Sequence, residues 1–355
     1  MADLCASSGA VPSVANFTSR AKSPLLRWVL SWALLALVLV AAVAWGKFPI
    51  APGDLLHSVW SHLMGRESGL APAVETVIWN IRLPRVAAGL LVGAALAAAG
   101  ASYQGMFRNP LVSPDILGVS AGAGLGAVLG IYLGLPLAAV QALAFGCGLL
   151  AVGLVVSVAG LVRRHDPVLV LVLAGIAVGA LLGAGISLIK ILADPTTQLP
   201  SITFWLLGGL NAVTRDDLAA TAPLMLMGLV PIALLRWRMN LLSLADDEAL
   251  ALGIPVASLR LLLVAAATLT TAAAVSLTGI IGWIGLVVPH VARLLVGPNF
   301  ARLLPASLLL GGGFLVATDT LARTVATIEL PLGLLTALVG APFFLFLLAR
   351  PGRGE

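Results

Sequence analysis

A chain of 355 residues in which 60% of side chains are hydrophobic and only 10% charged cannot clothe a water-soluble surface of that size, because soluble domains are about a quarter charged. The sequence is that of an all-α polytopic membrane protein, and its formal charge of +5 bears on membrane sidedness rather than on nucleic acid. Neither Cys5 nor Cys147 has a partner at metal-ligand spacing, which speaks against a metal site or a disulfide.

Residues 1–24 are expected to form a disordered cytoplasmic extension, 25–350 a membrane domain and 351–355 a short cytoplasmic tail. The run from Leu25 to Trp45 is long enough to span. It is too long for a signal peptide, and its AWGKF end is a poor cleavage site, so it reads as an uncleaved first span. A mixed stretch, 47–81, follows. Further spans are expected near 83–107, 115–134, 138–162, 168–192, 216–236, 258–279, 281–297, 304–323 and 331–349, ten in all. Only Gly279 and Gly282 divide the seventh from the eighth. This arrangement puts thirteen Lys and Arg on the amino-terminal side and seven on the other, so both termini are expected in the cytoplasm.

Glycines recur every fourth residue at Gly118, Gly122, Gly126 and Gly130, again at Gly175, Gly179 and Gly183, and at Gly89 and Gly93. Such faces serve close helix packing or the wall of a translocation path, and the two readings are compatible. Asn109-Pro110 and Ser113-Pro114 are expected to break the chain after the second span, and Pro289-His290 to interrupt the eighth. Pro200 is expected to precede a short amphipathic piece, Ser201 to Leu207. Irregular backbone at membrane depth lines a cavity or is buried in protein.

No catalytic set emerges, and no cofactor or metal is implied. The four histidines are scattered. Acids are nearly absent from span centres, with Asp319 near the outer end of the ninth span and Glu329 just before the tenth. Ion-driven carriers usually need buried acids, which speaks against a secondary transporter. A membrane-embedded enzyme would need polar residues clustered at one depth, and none are found. The phosphate-binding loop G-x-x-x-x-G-K-[ST] is absent, so an ATP-driven machine would need a separate ATPase chain. Against that background the polar island NLLSLADDEALALGIP (240–255) has two readings. It is a solvated loop whose acids start a helix, or an element on which another protein acts. Arg82, Arg85 and Arg323 gather at the outer ends of spans; they either snorkel or pair with carboxylates of a partner.

The segments 81–127 (IRLPRVAAGLLVGAALAAAGASYQGMFRNPLVSPDILGVSAGAGLGA), 204–213 (FWLLGGLNAV), 241–255, 279–305 and 318–350 resemble the FecCD-type permeases of binding-protein-dependent ABC importers for iron–siderophores, haem and cobalamin. The resemblance implies a bacterial inner-membrane, ten-helix type II importer permease that does not itself hydrolyse ATP. It implies as partners a second, identical or related, permease subunit, two ATP-binding subunits, a periplasmic or lipid-anchored binding protein, membrane lipid and a metal chelate, here a ferric siderophore, with cobalamin or haem as alternatives. It assigns ATPase coupling to Leu242, Ser243, Leu244, Ala245, Asp246, Asp247, Glu248, Ala249, Leu250, Ala251, Leu252 and Gly253. Binding-protein docking falls to Arg82, Arg85 and Arg323. The cytoplasmic gate falls to Asn109, Pro110 and Leu111 with His165, Asp166 and Pro167.

Overall fold

The computed structural model of the chain describes residues 24–46, 48, 50–162 and 167–349, and every regular element among them is helical. In order these are α1 (Pro24–Ala44), α2 (Pro52–Leu63), α3 (Pro72–Thr76), α4 (Leu83–Met106), α5 (Val119–Tyr132), α6 (Leu137–Leu161) and α7 (Pro167–Leu192). Then come α8 (Gln198–Leu207), α9 (Arg215–Leu234), α10 (Asp246–Ala251), α11 (Val256–Thr278), α12 (Ile284–Val296), α13 (Phe300–Thr324) and α14 (Leu332–Ala349). Six helices are long and apolar enough to cross a bilayer, and four shorter apolar ones (in α1, α5, α12 and α14) bring the crossings to the expected ten. Alternation places the start of α1 and the end of α14 at one end of the bundle, with α10; α2 and α8 lie at the other.

The bundle is built around α4 and α11, where every residue from Ala95 to Gln104 and from Thr270 to Thr278 is buried. Small residues allow this. A Cβ on Gly93 would run into the carbonyl of Gly311 on α13, and one on Gly100 into that of Gly285 on α12. Gly122 and Gly126 likewise face carbonyls of α6, and Gly175 faces that of Ile116. Gly118 departs from this pattern: it precedes α5 with φ +78°, a left-handed backbone that favours glycine. Gly179 and Gly183 on α7 meet nothing within 4 Å and face out of the chain.

The structure differs from the sequence reading at three places near prolines. The second crossing does not begin at 83: α3, a wide turn at Val77–Arg82 and α4 form one 35-residue rod from Pro72 to Met106. Pro84 has no N–H for the carbonyl four residues back, and the widened turn comes just before it. Pro200 does not precede the short piece but sits in the first turn of α8, where a missing N–H costs nothing. Pro289 does not interrupt the eighth crossing; α12 runs straight through it. The carbonyl this proline leaves free, that of Gly285, takes Gln104 Nε2 at 3.4 Å, and the Leu286 carbonyl takes the same group at 3.1 Å. Arg293, one turn on, donates to Gln104 Oε1 at 3.1 Å, so a polar stitch between α4 and α12 replaces the lost helical bond.

The mixed stretch after the first crossing also gains structure. It contains α2, fixed by Leu55 in a core cluster with Ala42, Val43, Ile50, Ile78, Val86 and Val316. Ser58 donates to Glu75 at 2.8 Å and accepts from Trp79 Nε1 at 2.9 Å.

Candidate functional site

At the α10 end, the chain leaves α9, makes a 3₁₀ turn at Arg238–Ser243 and enters α10 through Leu244 and Ala245. Three acids occupy the first turn of α10, where the helix dipole favours them. Glu248 reaches back to the Ala245 N–H at 3.3 Å, which is half a capping box; alanine has no oxygen to supply the other half. Gly253, at φ +77°, ends the helix by donating to Leu250 O at 2.9 Å, and Pro255 follows. Leu242 and Ala249 are fully buried and pin the segment to the core. Leu250 and Leu252 point outward, 56% and 62% exposed, beside the exposed Asp247 and Glu248.

Asp246 does more than start the helix. Arg260 of α11 donates to both its oxygens at 3.3 Å, and Arg108 donates to Oδ1 from the far side. The Arg260 hydrogen bonds, reinforced by Arg108, hold the Asp246 carboxyl below its usual range. Arg108 also bonds Leu242 O through Nε at 2.8 Å, so one side chain joins the 3₁₀ turn to the first residue of α10. Its backbone has φ +50°, uncommon for a side chain of that bulk. The next residues are the expected gate, Asn109, Pro110 and Leu111, turned by Asn109 Oδ1 accepting from Leu111 N at 2.9 Å. A cavity of about 640 Å³ opens here, walled by Arg108, Asn109, Pro110, Asn240, Arg293 and Asn299. Of the second gate segment, His165 and Asp166 lie outside the described residues, and Pro167 is the first residue of α7.

At the α2 end, the structure brings Arg82, Arg85 and Arg323 into one cluster. All three side chains are turned inward. Arg82 is 4% exposed and donates to the carbonyls of Val43 and Phe48, and to that of Ala44 at 3.1 Å. Arg323 donates to the carbonyl of Ala42. The two arginines thus satisfy carbonyls in the last turn of α1, groups that any helix end leaves without a donor. Arg85 makes a double fork: Nε to both oxygens of Asp319 at 3.0 and 3.1 Å, and its two terminal nitrogens to Glu329 at 3.2 and 2.9 Å. Arg323 Nε lies 3.5 Å from Asp319 Oδ2. The Asp319 side chain is 3% exposed and that of Glu329 34%, which makes Glu329 the open edge of the cluster.

Sequence reasoning did not name the partners: Asp319 and Glu329 for Arg85, Arg108 and Arg260 for Asp246. The signal that was present is charge placed at matching ends of different crossings, in a chain with few charges to place.

The chain matches the FecCD transport family model over residues 34–350. It is similar to the cobalamin import system permease BtuC of Halobacterium salinarum, 43% identical over 79% of this chain and 75% of the relative. It is 42% identical to an iron chelatin transport system permease of Helicobacter pylori, over 84% and 89% of the two chains. It is 36% identical to the molybdate import permease MolB of Haemophilus influenzae, over 90% and 94%. Among solved structures, a metal-chelate-type ABC transporter in an inward-facing conformation superposes with TM-score 0.79 and 33% identity, over 93% of this chain and all of that one.

Proposed function

We propose, for a chain that belongs to the FecCD transport family, that it carries a ferric siderophore across the membrane under the drive of a separate ATPase acting on α10. As a permease of a metal-chelate ABC importer it is a transport subunit, without catalysis of its own. The observation that carries the coupling role is the clasp on Asp246. Arg108 touches the segment at Asp246 and Leu242, and the next residue in the chain is Asn109 of the gate. A push on α10 therefore reaches the gate through one residue. The exposed Leu250 and Leu252 give an ATPase partner an apolar foothold.

The basic residues that cluster at the α10 end support a cytoplasmic assignment for it and for both termini. The uncovered Gly179 and Gly183 on α7 support a second copy of the chain as the other half. Docking of a binding protein then falls to the α2 end. There Arg85, the most exposed side chain of its ion cluster after Glu329, would exchange Glu329 for a carboxylate of the partner. Relatives of comparable identity are named for cobalamin, iron chelatin and molybdate, so specificity belongs mostly to the binding protein.

The test is reconstitution with the ATPase and binding protein in vesicles, with ATP hydrolysis and uptake followed for a ferric siderophore, haem, cobalamin and molybdate in turn. Stimulation by one of the others and not by the siderophore overturns the cargo. For coupling, Ala251→Trp is the informative variant, because Ala251 is exposed whereas Ala249 is buried and a bulky residue there would disturb the core. Uptake per ATP unchanged in Ala251→Trp and in Asp246→Ala would sink the coupling role.

A further inference from the structure

The helix α2 has an apolar face that the chain leaves uncovered. Leu56 is 69% exposed, Trp60 62%, Leu63 72% and Met64 51%. At ~100° per residue these four positions make one stripe about 100° wide, the width of an ordinary buried helix face. The opposite side is fixed. Leu55 and Ser58 are buried, Ser58 is bonded to Glu75 and Trp79, and the His62 ring lies 4.1 Å from that of Trp79. The helix therefore cannot roll to hide the stripe. Twelve residues span ~18 Å, too little to cross a bilayer of ~30 Å.

The surrounding surface says what covers it. The outward face of α1 is apolar along its length, with Leu34 56%, Leu37 66% and Val40 50% exposed, as befits a lipid-facing crossing. That face continues past the end of α1 through Trp45, 71% exposed, and Phe48, 42% exposed, into the linker to α2. Trp45, Phe48 and Trp60 thus stand where a crossing ends, the level at which aromatic side chains favour the boundary between headgroups and acyl chains. A short helix with one apolar, Trp-bearing face at that level has the chemistry of an in-plane anchor.

We infer that α2 lies in the plane of the membrane surface, its Leu56–Trp60–Leu63 stripe sunk into the headgroup–acyl boundary of the leaflet at the α2 end. The anchor steadies the linker whose Phe48 carbonyl, with those of Val43 and Ala44, is held by Arg82.

The experiment places spin labels, one at a time, at Leu56→Cys, Trp60→Cys, Leu63→Cys and His57→Cys. The full chain carries Cys5→Ser and Cys147→Ala, assembled with its ATPase subunit in phosphatidylethanolamine–phosphatidylglycerol vesicles. Collision with oxygen, which concentrates in lipid, is compared with collision with a water-soluble nickel chelate. The expected oxygen-to-nickel ratio is several-fold higher at the three stripe positions than at His57, whose side chain lies beside the stripe. Equal ratios at all four overturn the inference. So does protection of the stripe that arises only on adding the binding protein, or that grows with permease concentration in the vesicle; these outcomes identify a docked protein or a second copy instead. A readout that leaves the helix intact uses lipids brominated near the headgroup. The share of tryptophan fluorescence they quench should fall in Trp60→Phe relative to the natural chain, and an unchanged share counts against the anchor.

Discussion

The two ends of the bundle use charge in opposite ways. At the α2 end Arg82, Arg85, Arg323 and Asp319 are nearly buried, and three helices are tied through them. At the α10 end Arg108 and Asp246 are 39% and 46% exposed in their side chains, and only Arg260, at 12%, is sheltered. Coulomb attraction is strong where water is excluded, and a buried charge deprived of its partner is costly. Where water competes, the same pair contributes little to stability and rearranges readily. The α2 end is thus a brace and the α10 end a joint.

Four measurements test that contrast. Asp319→Ala strips Arg323 of its carboxylate and leaves Arg85 half paired; it should cost about 3 kcal/mol or more, read as a lower unfolding midpoint of the purified chain. Arg82→Ala leaves the last carbonyls of α1 without their donor and should cost about 1–3 kcal/mol by the same measurement. Asp246→Asn should cost no more than about 1 kcal/mol, yet reduce uptake per ATP in the reconstituted transporter. A stability loss there as large as that of Asp319→Ala would erase the distinction between brace and joint. The smallest effect concerns pH. Because the Asp246 carboxyl is held below its usual range, its contribution is complete above the ordinary carboxylate value and is lost only as pH falls through the depressed one. Uptake per ATP should therefore not change through protonation of this residue between about pH 7 and about pH 5.

The ten crossings were legible because apolar runs of spanning length are a strong signal in a chain this poor in charge. The division at Gly279–Gly282 fell where it was expected, since α11 ends at Thr278 and α12 starts at Ile284. What sequence could not give was pairing across distance. Arg85 and Asp319 are separated by 234 positions, and nothing local to Arg85 says whether its fork is filled from within or by a partner. Pro289 misled for the same reason, because the donor that compensates for it, Gln104, sits on another helix. The helix α2 escaped notice because its apolar residues are shared between a buried face and an exposed one.

At ~1.5 Å per residue, α5 with 14 residues and α12 with 13 reach only about 21 and 20 Å, short of the ~30 Å of a hydrocarbon core. Before α5 the chain is irregular from Arg108 to Ser113 and then makes a single 3₁₀ turn, Pro114–Leu117, at the α10 end; before α12 it is irregular from Gly279 to Trp283 at the α2 end. The two breaks come close to each other: a Cβ on Gly285, in the first turn of α12, would lie 3.4 Å from Pro114 Cδ, and backbone without helical bonds at membrane depth has to be buried in protein or line a cavity.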